Sequence, residues 1–187
     1  MASPEALDFL LSRRSRPAKL LKAPAPGREE LMRLLTAAVR VPDHGKLEPW
    51  RFVVLEGAGL TRFARAVRAR AEVAGEDADK GALAFEQAPM AVAVIGSPKA
   101  SEKIPAQEQM LSGANVALSL LNAALAAGWG ASWLTGWPAY DRTLLEAELG
   151  LAAGEWVVGF VYIGSCETPP PDRPRPDVAK LVTWAEG

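Results

Sequence analysis

Apolar residues crowd most densely between Gln107 and Ala127, where Met110, Leu111, Val116, Ala117, Leu118, Leu120, Leu121, Ala124 and Leu125 leave almost no wide polar face. Alanine and leucine are strong helix formers, so propensity and pattern agree on one long helix. A helix apolar nearly all round is expected to be buried nearly all round, in the core or against a second copy of the chain. Asn115, Ser119 and Asn122 interrupt the run. The uninterrupted stretches fall short of the roughly 20 apolar residues that a bilayer span needs, so no membrane role is expected. Gly128 stops the helix, because glycine takes a left-handed cap at little cost.

The same reading places the other elements. Pro4 to Arg14 forms a first helix, with Ser3 as its cap, Pro4 in its first turn, and Leu7, Leu10 and Leu11 on one face. A proline-rich loop runs from Lys19 to Gly27. Arg28 to Val39 is an amphipathic helix with Leu31, Leu34, Leu35 and Ala38 inward. A third helix runs from Gly59 to about Gly75, its Arg62, Arg65 and Arg68 forming a solvated face over inward Phe63 and Val67, and Glu76 to Lys80 is a charged turn. Phe52–Leu55, Pro89–Ile95 and Trp156–Ile163 read as strands. The last is free of charge, as a central strand buried on both faces would be. Asp141 to Leu149 is a short helix capped by Asp141 or Tyr140 and ended by Gly150. The tail carries prolines at 169, 170, 171, 174 and 176, which favour an extended arm, and ends in an apolar segment from Val178 to Trp184 suited to reaching a partner subunit.

At 187 residues the chain has the length of one domain, 1–187, with 167–187 as its arm. A formal net charge of -1 gives no basic footprint, so nucleic acid is not an expected partner. One cysteine, Cys166, forbids an internal disulfide, and with one histidine, His44, a Cys/His zinc centre is not expected. Phe9-Leu10-Leu11 precedes the arginines rather than following them, so no export signal is read there and the cytoplasm is the expected compartment. Gly57-Ala58-Gly59 lacks the third glycine and the following βαβ unit of a dinucleotide fingerprint. No phosphate loop, Ser-His-Asp set or pair of catalytic carboxylates stands out, which leaves side-chain acyl or glycosyl transfer without support.

Three segments do carry chemistry. Arg13-Arg14-Ser15-Arg16 ahead of Pro17 gathers forked guanidinium donors and a hydroxyl at a helix end, a set that suits a phosphate and equally complements a helix dipole. Arg40-Val41-Pro42-Asp43-His44 and the residues up to Phe52 form a proline- and glycine-defined loop between a helix and a strand. Gly128-Trp129-Gly130-Ala131-Ser132-Trp133-Leu134-Thr135-Gly136 is a short strand or extended loop whose glycines allow a flat ligand to approach the backbone.

Arg-Arg-Ser at 13–15 together with R-x-P-D-H-x-x-x-x-P-W-R-F at 40–52 resembles the nitroreductase-like FMN-dependent oxidoreductases, and more narrowly their small YdjA-type branch of NAD(P)H nitroreductases. Lys103-Ile104-Pro105, Glu108-Gln109 and Ser112 resemble that branch less closely. The resemblance implies an α+β fold: a central, mostly antiparallel sheet flanked by helices, with a long buried helix and a C-terminal arm exchanged in a homodimer. It implies FMN at the dimer interface, held by Arg13, Arg14 and Ser15 of one chain and by Arg40 and His44 of the other, with Trp133, Leu134 and Thr135 along the flavin. It places the nicotinamide nucleotide, more weakly, at Ala123, Ala124, Leu125, Ala126, Ala127 and Gly128. Leu134 stands where relatives carry arginine and Thr135 where they carry serine. The implied activity is ping-pong reduction of nitroaromatic or quinone-like acceptors by NAD(P)H through flavin N5, with no catalytic side chain required. A non-catalytic FMN-binding module and reductive dehalogenation are the alternatives on the same fold.

Overall fold

The computed structural model describes residues 3–168 and 170–185; residues 1, 2, 186 and 187, and Pro169 of the proline run, lie outside it. Four strands, β1 (Trp50–Glu56), β2 (Met90–Gly96), β3 (Gly130–Leu134) and β4 (Trp156–Gly164), form one sheet in the order β1-β2-β4-β3. All three pairings are antiparallel. Six α-helices surround the sheet: α1 (Pro4–Ser12), α2 (Arg28–Ala38), α3 (Gly57–Ala74), α4 (Ala78–Gln87), α5 (Ala106–Ala126) and α6 (Arg142–Leu149).

Strand alternation divides the core into two layers. On β2, Met90, Val92 and Val94 face α2 and α5, while Ala91, Ala93 and Ile95 face α3, α4 and α6. On β4, Val161 and Ile163 join the first layer and Phe160 and Tyr162 the second. The β2–β4 register shifts between Val94 and Ile95, so an extra residue on β4 forms a bulge there. Phe85 sits at the centre of the second layer, 4.8 Å from Phe63, 4.9 Å from Phe160 and 5.2 Å from Tyr162 between ring centroids, in tilted or edge-on arrangements that aromatic quadrupoles favour.

Three findings differ from the expectations. The chain from Glu76 to Lys80 is not only a charged turn. Asp77 accepts the Lys80 backbone N–H at 3.0 Å and starts α4, whose Ala82 and Phe85 point into the core. Helix α1 buries none of its residues, and Leu7, Leu10 and Leu11 are exposed. Helix α5 is buried on only one side: Val116, Ala117, Leu120, Leu121 and Ala124 enter the core, while Met110, Leu111 and Leu118 are exposed. The physical reason is geometric. One chain supplies the sheet and α2 to cover α5, which leaves its far side open. By length and composition alone α5 could cross a bilayer, but here it packs as a core helix on β2, β3 and β4.

Candidate functional site

Residues 13–16 are held against β3. The Arg13 backbone N–H still donates to Phe9 at 2.8 Å, closing α1. Arg13 then leaves helical geometry, as expected ahead of Pro17. The Arg16 backbone N–H donates to the Ala131 carbonyl at 2.7 Å, which stitches the arginine segment to the glycine-rich strand. Further along, Lys22 and Ser165 exchange backbone bonds of 2.9 and 2.8 Å and fix the same segment to the end of β4.

The side chains converge. Arg13 donates to Ser15 Oγ at 3.1 Å, and Arg16 donates to the Arg14 carbonyl at 3.1 Å. Arg13, Arg14, Ser15, Arg173 and Arg175 line a cavity of about 170 Å³. Sequence reasoning missed Arg173 and Arg175, because nothing in a proline-rich tail links its charges to the N-terminal segment. On the other side of the segment, Arg13, Arg14 and Arg16 share a cleft of about 260 Å³ with Leu125, Gly128 and Gly130. Asp172 reaches Arg175 at 2.6 Å and Arg14 only at 4.0 Å. The Nε atoms of Arg13 and Arg14 are buried without an acceptor among the described residues. Burial first, then the charges of Arg175 and Arg14, hold the Arg13 guanidinium below its ordinary pKa. Unpaired buried donors and mutual repulsion both carry a cost, and a bound anion relieves both.

Beside this cluster, Trp133 lies over Gly159 of β4, where any Cβ would overlap its indole. Trp133 Nε1 and Ser132 Oγ are buried without partners among the described residues. Leu134, Thr135 and Gly136 are exposed. The residues present therefore fit a phosphate-bearing cofactor: the arginines converge on an anion site, and β3, which Arg16 stitches to them, carries Trp133, Leu134 and Thr135.

A family model described as the Nitroreductase family matches residues 10–165. The chain belongs to the nitroreductase family. Membership in the nitroreductase family carries an oxidoreductase class of reaction. Among curated relatives, the chain is 35% identical over 164 residues to the Escherichia coli (strain K12) protein named "Putative NAD(P)H nitroreductase YdjA", covering 86% of this chain and 88% of that one. Among solved structures it resembles a nitroreductase-like family protein from Bacillus cereus, with a TM-score of 0.82 at 21% identity over 100% of this chain and 99% of that one. It also resembles an FMN-dependent nitroreductase from Clostridium difficile R20291, with a TM-score of 0.70 at 20% identity over 97% of this chain and 99% of that one. At these identities the solved structures establish the nitroreductase-like α+β fold.

In this nitroreductase-family chain the second loop stands apart from the arginine cluster. Arg40 and His44 are exposed and line neither arginine cavity. Asp43 braces the loop by accepting the Leu47 and Glu48 backbone N–H groups at 3.2 and 2.9 Å. Gly45 has φ +72°, a left-handed conformation that favours glycine, and a Cβ there would displace the end of the Ile104 side chain. His44 Nδ1 lies 2.6 Å from Glu108 Oε2. In the segment expected at the nicotinamide nucleotide, Ala124 is fully buried, Ala123 and Leu125 are half-buried, and Ala126, Ala127 and Gly128 are exposed.

Proposed function

We propose that the protein is an FMN-dependent NAD(P)H oxidoreductase that reduces nitroaromatic or quinone-like acceptors, acting in the cytoplasm as a homodimer with FMN at the interface. The observation that carries this proposal is the half-buried set of Arg13, Arg14 and Ser15, joined at one cavity by the exposed Arg173 and Arg175, with the Nε donors of Arg13 and Arg14 unsatisfied among the described residues. Arginine forks and a hydroxyl match a phosphate monoester. The names of the similar proteins, an NAD(P)H nitroreductase and an FMN-dependent nitroreductase, point the same way.

FMN, when bound, supplies a two-electron carrier that takes hydride from NAD(P)H at N5 and passes it to an acceptor in ping-pong order. Arg13, Arg14 and Ser15 hold the phosphate, with Arg173 and Arg175 adding charge from the arm. Trp133 and Thr135 border the ring, Trp133 excluding water and Thr135 offering a hydroxyl. Leu134 contributes an apolar contact where relatives carry a cation, so the acceptor is recognised there by shape rather than by charge. Arg40 and His44, remote from the arginine cavities of their own chain, reach the cofactor of a second copy. The surface from Ala123 to Gly128 takes the nicotinamide nucleotide, largely by shape.

The test is the absorbance spectrum of the purified protein before and after NADPH. Yellow protein that bleaches on NADPH addition, regains colour with a nitroaromatic acceptor and releases FMN on denaturation is the expected result. Colourless protein that FMN does not reconstitute overturns the proposal. Flavin that stays oxidised with both NADH and NADPH leaves a binding module instead.

A further inference from the structure

The first turns of α5 hold two loops at once. Gln109 accepts from the Lys99 backbone N–H at 2.8 Å and donates to the Lys99 carbonyl at 3.0 Å, clamping the loop ahead of the helix. Ser112 donates to the Pro42 carbonyl at 2.6 Å, clamping the loop that carries His44. Glu108 reaches the imidazole of that same loop at 2.6 Å. The loop backbone is also unusual: Gly45, Lys46 and Glu48 have φ of +72°, +54° and +49°. Two non-glycine residues in the left-handed region within three positions are a strained arrangement, held only because surrounding bonds determine it.

These clamps settle the backbone under His44 but leave its ring free to turn. With side chains 61% and 47% exposed, His44 and Glu108 make a surface pair of the kind that contributes little to folding. The contact does fix the ring. A carboxylate accepts, so Nδ1 carries the hydrogen, and Nε2 on the opposite edge is turned away from Glu108. With Nδ1 engaged by Glu108, Nε2 is the ring nitrogen left to meet a ligand.

We infer that Glu108 is a positioning residue: it sets the tautomer and rotation of His44 so that Nε2 meets the cofactor bound by a second copy of the chain. The inference rests on the FMN proposal above and adds a residue to it. Carboxylates play the same part behind metal-bound histidines, where an outer partner selects which nitrogen faces the ligand.

The experiment measures FMN dissociation by flavin fluorescence for the full chain and for Glu108→Ala, Glu108→Gln, His44→Ala and the double variant His44→Ala/Glu108→Ala. Thermal unfolding without FMN serves as the control for folding. Glu108→Ala is expected to raise the FMN Kd by about 3- to 10-fold, the size of one lost positioning hydrogen bond. Glu108→Gln, whose amide oxygen still accepts from Nδ1, is expected to remain within about 2-fold of wild type. The double variant is expected to match His44→Ala alone, because without the imidazole the carboxylate has nothing to orient. Unfolding midpoints are expected to be unchanged throughout. An unchanged Kd in Glu108→Ala overturns the inference while leaving the FMN proposal standing. So does an additive double variant, or a Kd loss that follows a lowered unfolding midpoint. Wild-type protein that takes up no FMN removes both.

Discussion

Arg13 lies in a position that folding alone does not reward. Its guanidinium is half-buried, its Nε finds no acceptor, and Arg175 and Arg14 repel it. Among the described residues, its side chain donates to Ser15 Oγ at 3.1 Å. Arg13→Ala should therefore leave the unfolding midpoint of the FMN-free protein unchanged or slightly raised. Its FMN affinity should fall by about 1.5–3 kcal/mol, roughly 10- to 150-fold in Kd, for the loss of a charged hydrogen bond. Thermal unfolding and calorimetric titration measure the two effects, and a lowered midpoint would make Arg13 a structural residue. At this scale the sequence was legible where a cluster is local. Arg13, Arg14 and Ser15 are neighbours, so their convergence followed from one helix end. Arg173 and Arg175 reach the same cavity from the far end of the chain, and no spacing rule announces such a meeting. Glu108 was visible only as part of a motif, since the contact to His44 depends on how the loop docks on α5.

Between elements, Arg51 on β1 is paired with Glu155 just before β4. Arg51 donates to Glu155 from Nε at 2.8 Å and from Nη2 at 2.7 Å, and Glu155 also accepts from the Ala152 backbone N–H at 2.9 Å. The Arg51 hydrogen bond is the main reason that the Glu155 carboxyl titrates far below its ordinary value, at about 2, against the opposing effect of burial. A folded-state value depressed below the unfolded one means that this stabilisation is complete above about pH 5 and is lost as pH falls through about 2. Arg51 is about a third exposed, so solvent screening reduces the contribution to about 1–2 kcal/mol. Glu155→Gln should lose that amount at pH 7, and its deficit should shrink towards zero as pH falls from 5 to 2. Urea unfolding at several pH values checks this, and a pH-independent deficit would point to packing instead. Element types followed from periodicity where one face was apolar, as in α2 and α3, and from an unbroken charge-free run in β4. Helix α4 escaped because its charged start, Glu76 to Lys80, hides the Asp77 cap. Its Gly81, poor in a helix, is there because a Cβ would strike the Trp137 indole.

Across the whole molecule, exposed apolar side chains collect on three elements that one chain does not cover: Leu7, Leu10 and Leu11 on α1, Met110, Leu111 and Leu118 on α5, and Leu181 and Trp184 on the arm. Scattered surface leucines need no explanation, but three such groups on elements that flank one proposed site do. The apolar pattern of α5 announced a helix with no solvent face, and a single chain gives it one. The proposed second copy would resolve the conflict, and it would also bring Arg40 and His44 to the proposed cofactor, whose arginine cavities they do not line in their own chain. Leu118, with 42% of its surface exposed, gives the sharpest test. Glutamate forms helix about as well as leucine, so Leu118→Glu should leave an isolated chain folded. At an interface the same change buries an unpaired carboxylate, a cost of several kcal/mol. Light scattering should then find wild-type dimers and Leu118→Glu monomers at micromolar concentration, with circular dichroism spectra unchanged. If each site needs both copies, as proposed, FMN should be lost along with the dimer. A Leu118→Glu monomer that keeps its flavin would move the whole site into one chain, and a wild-type monomer would leave the open face of α5 without its proposed cover.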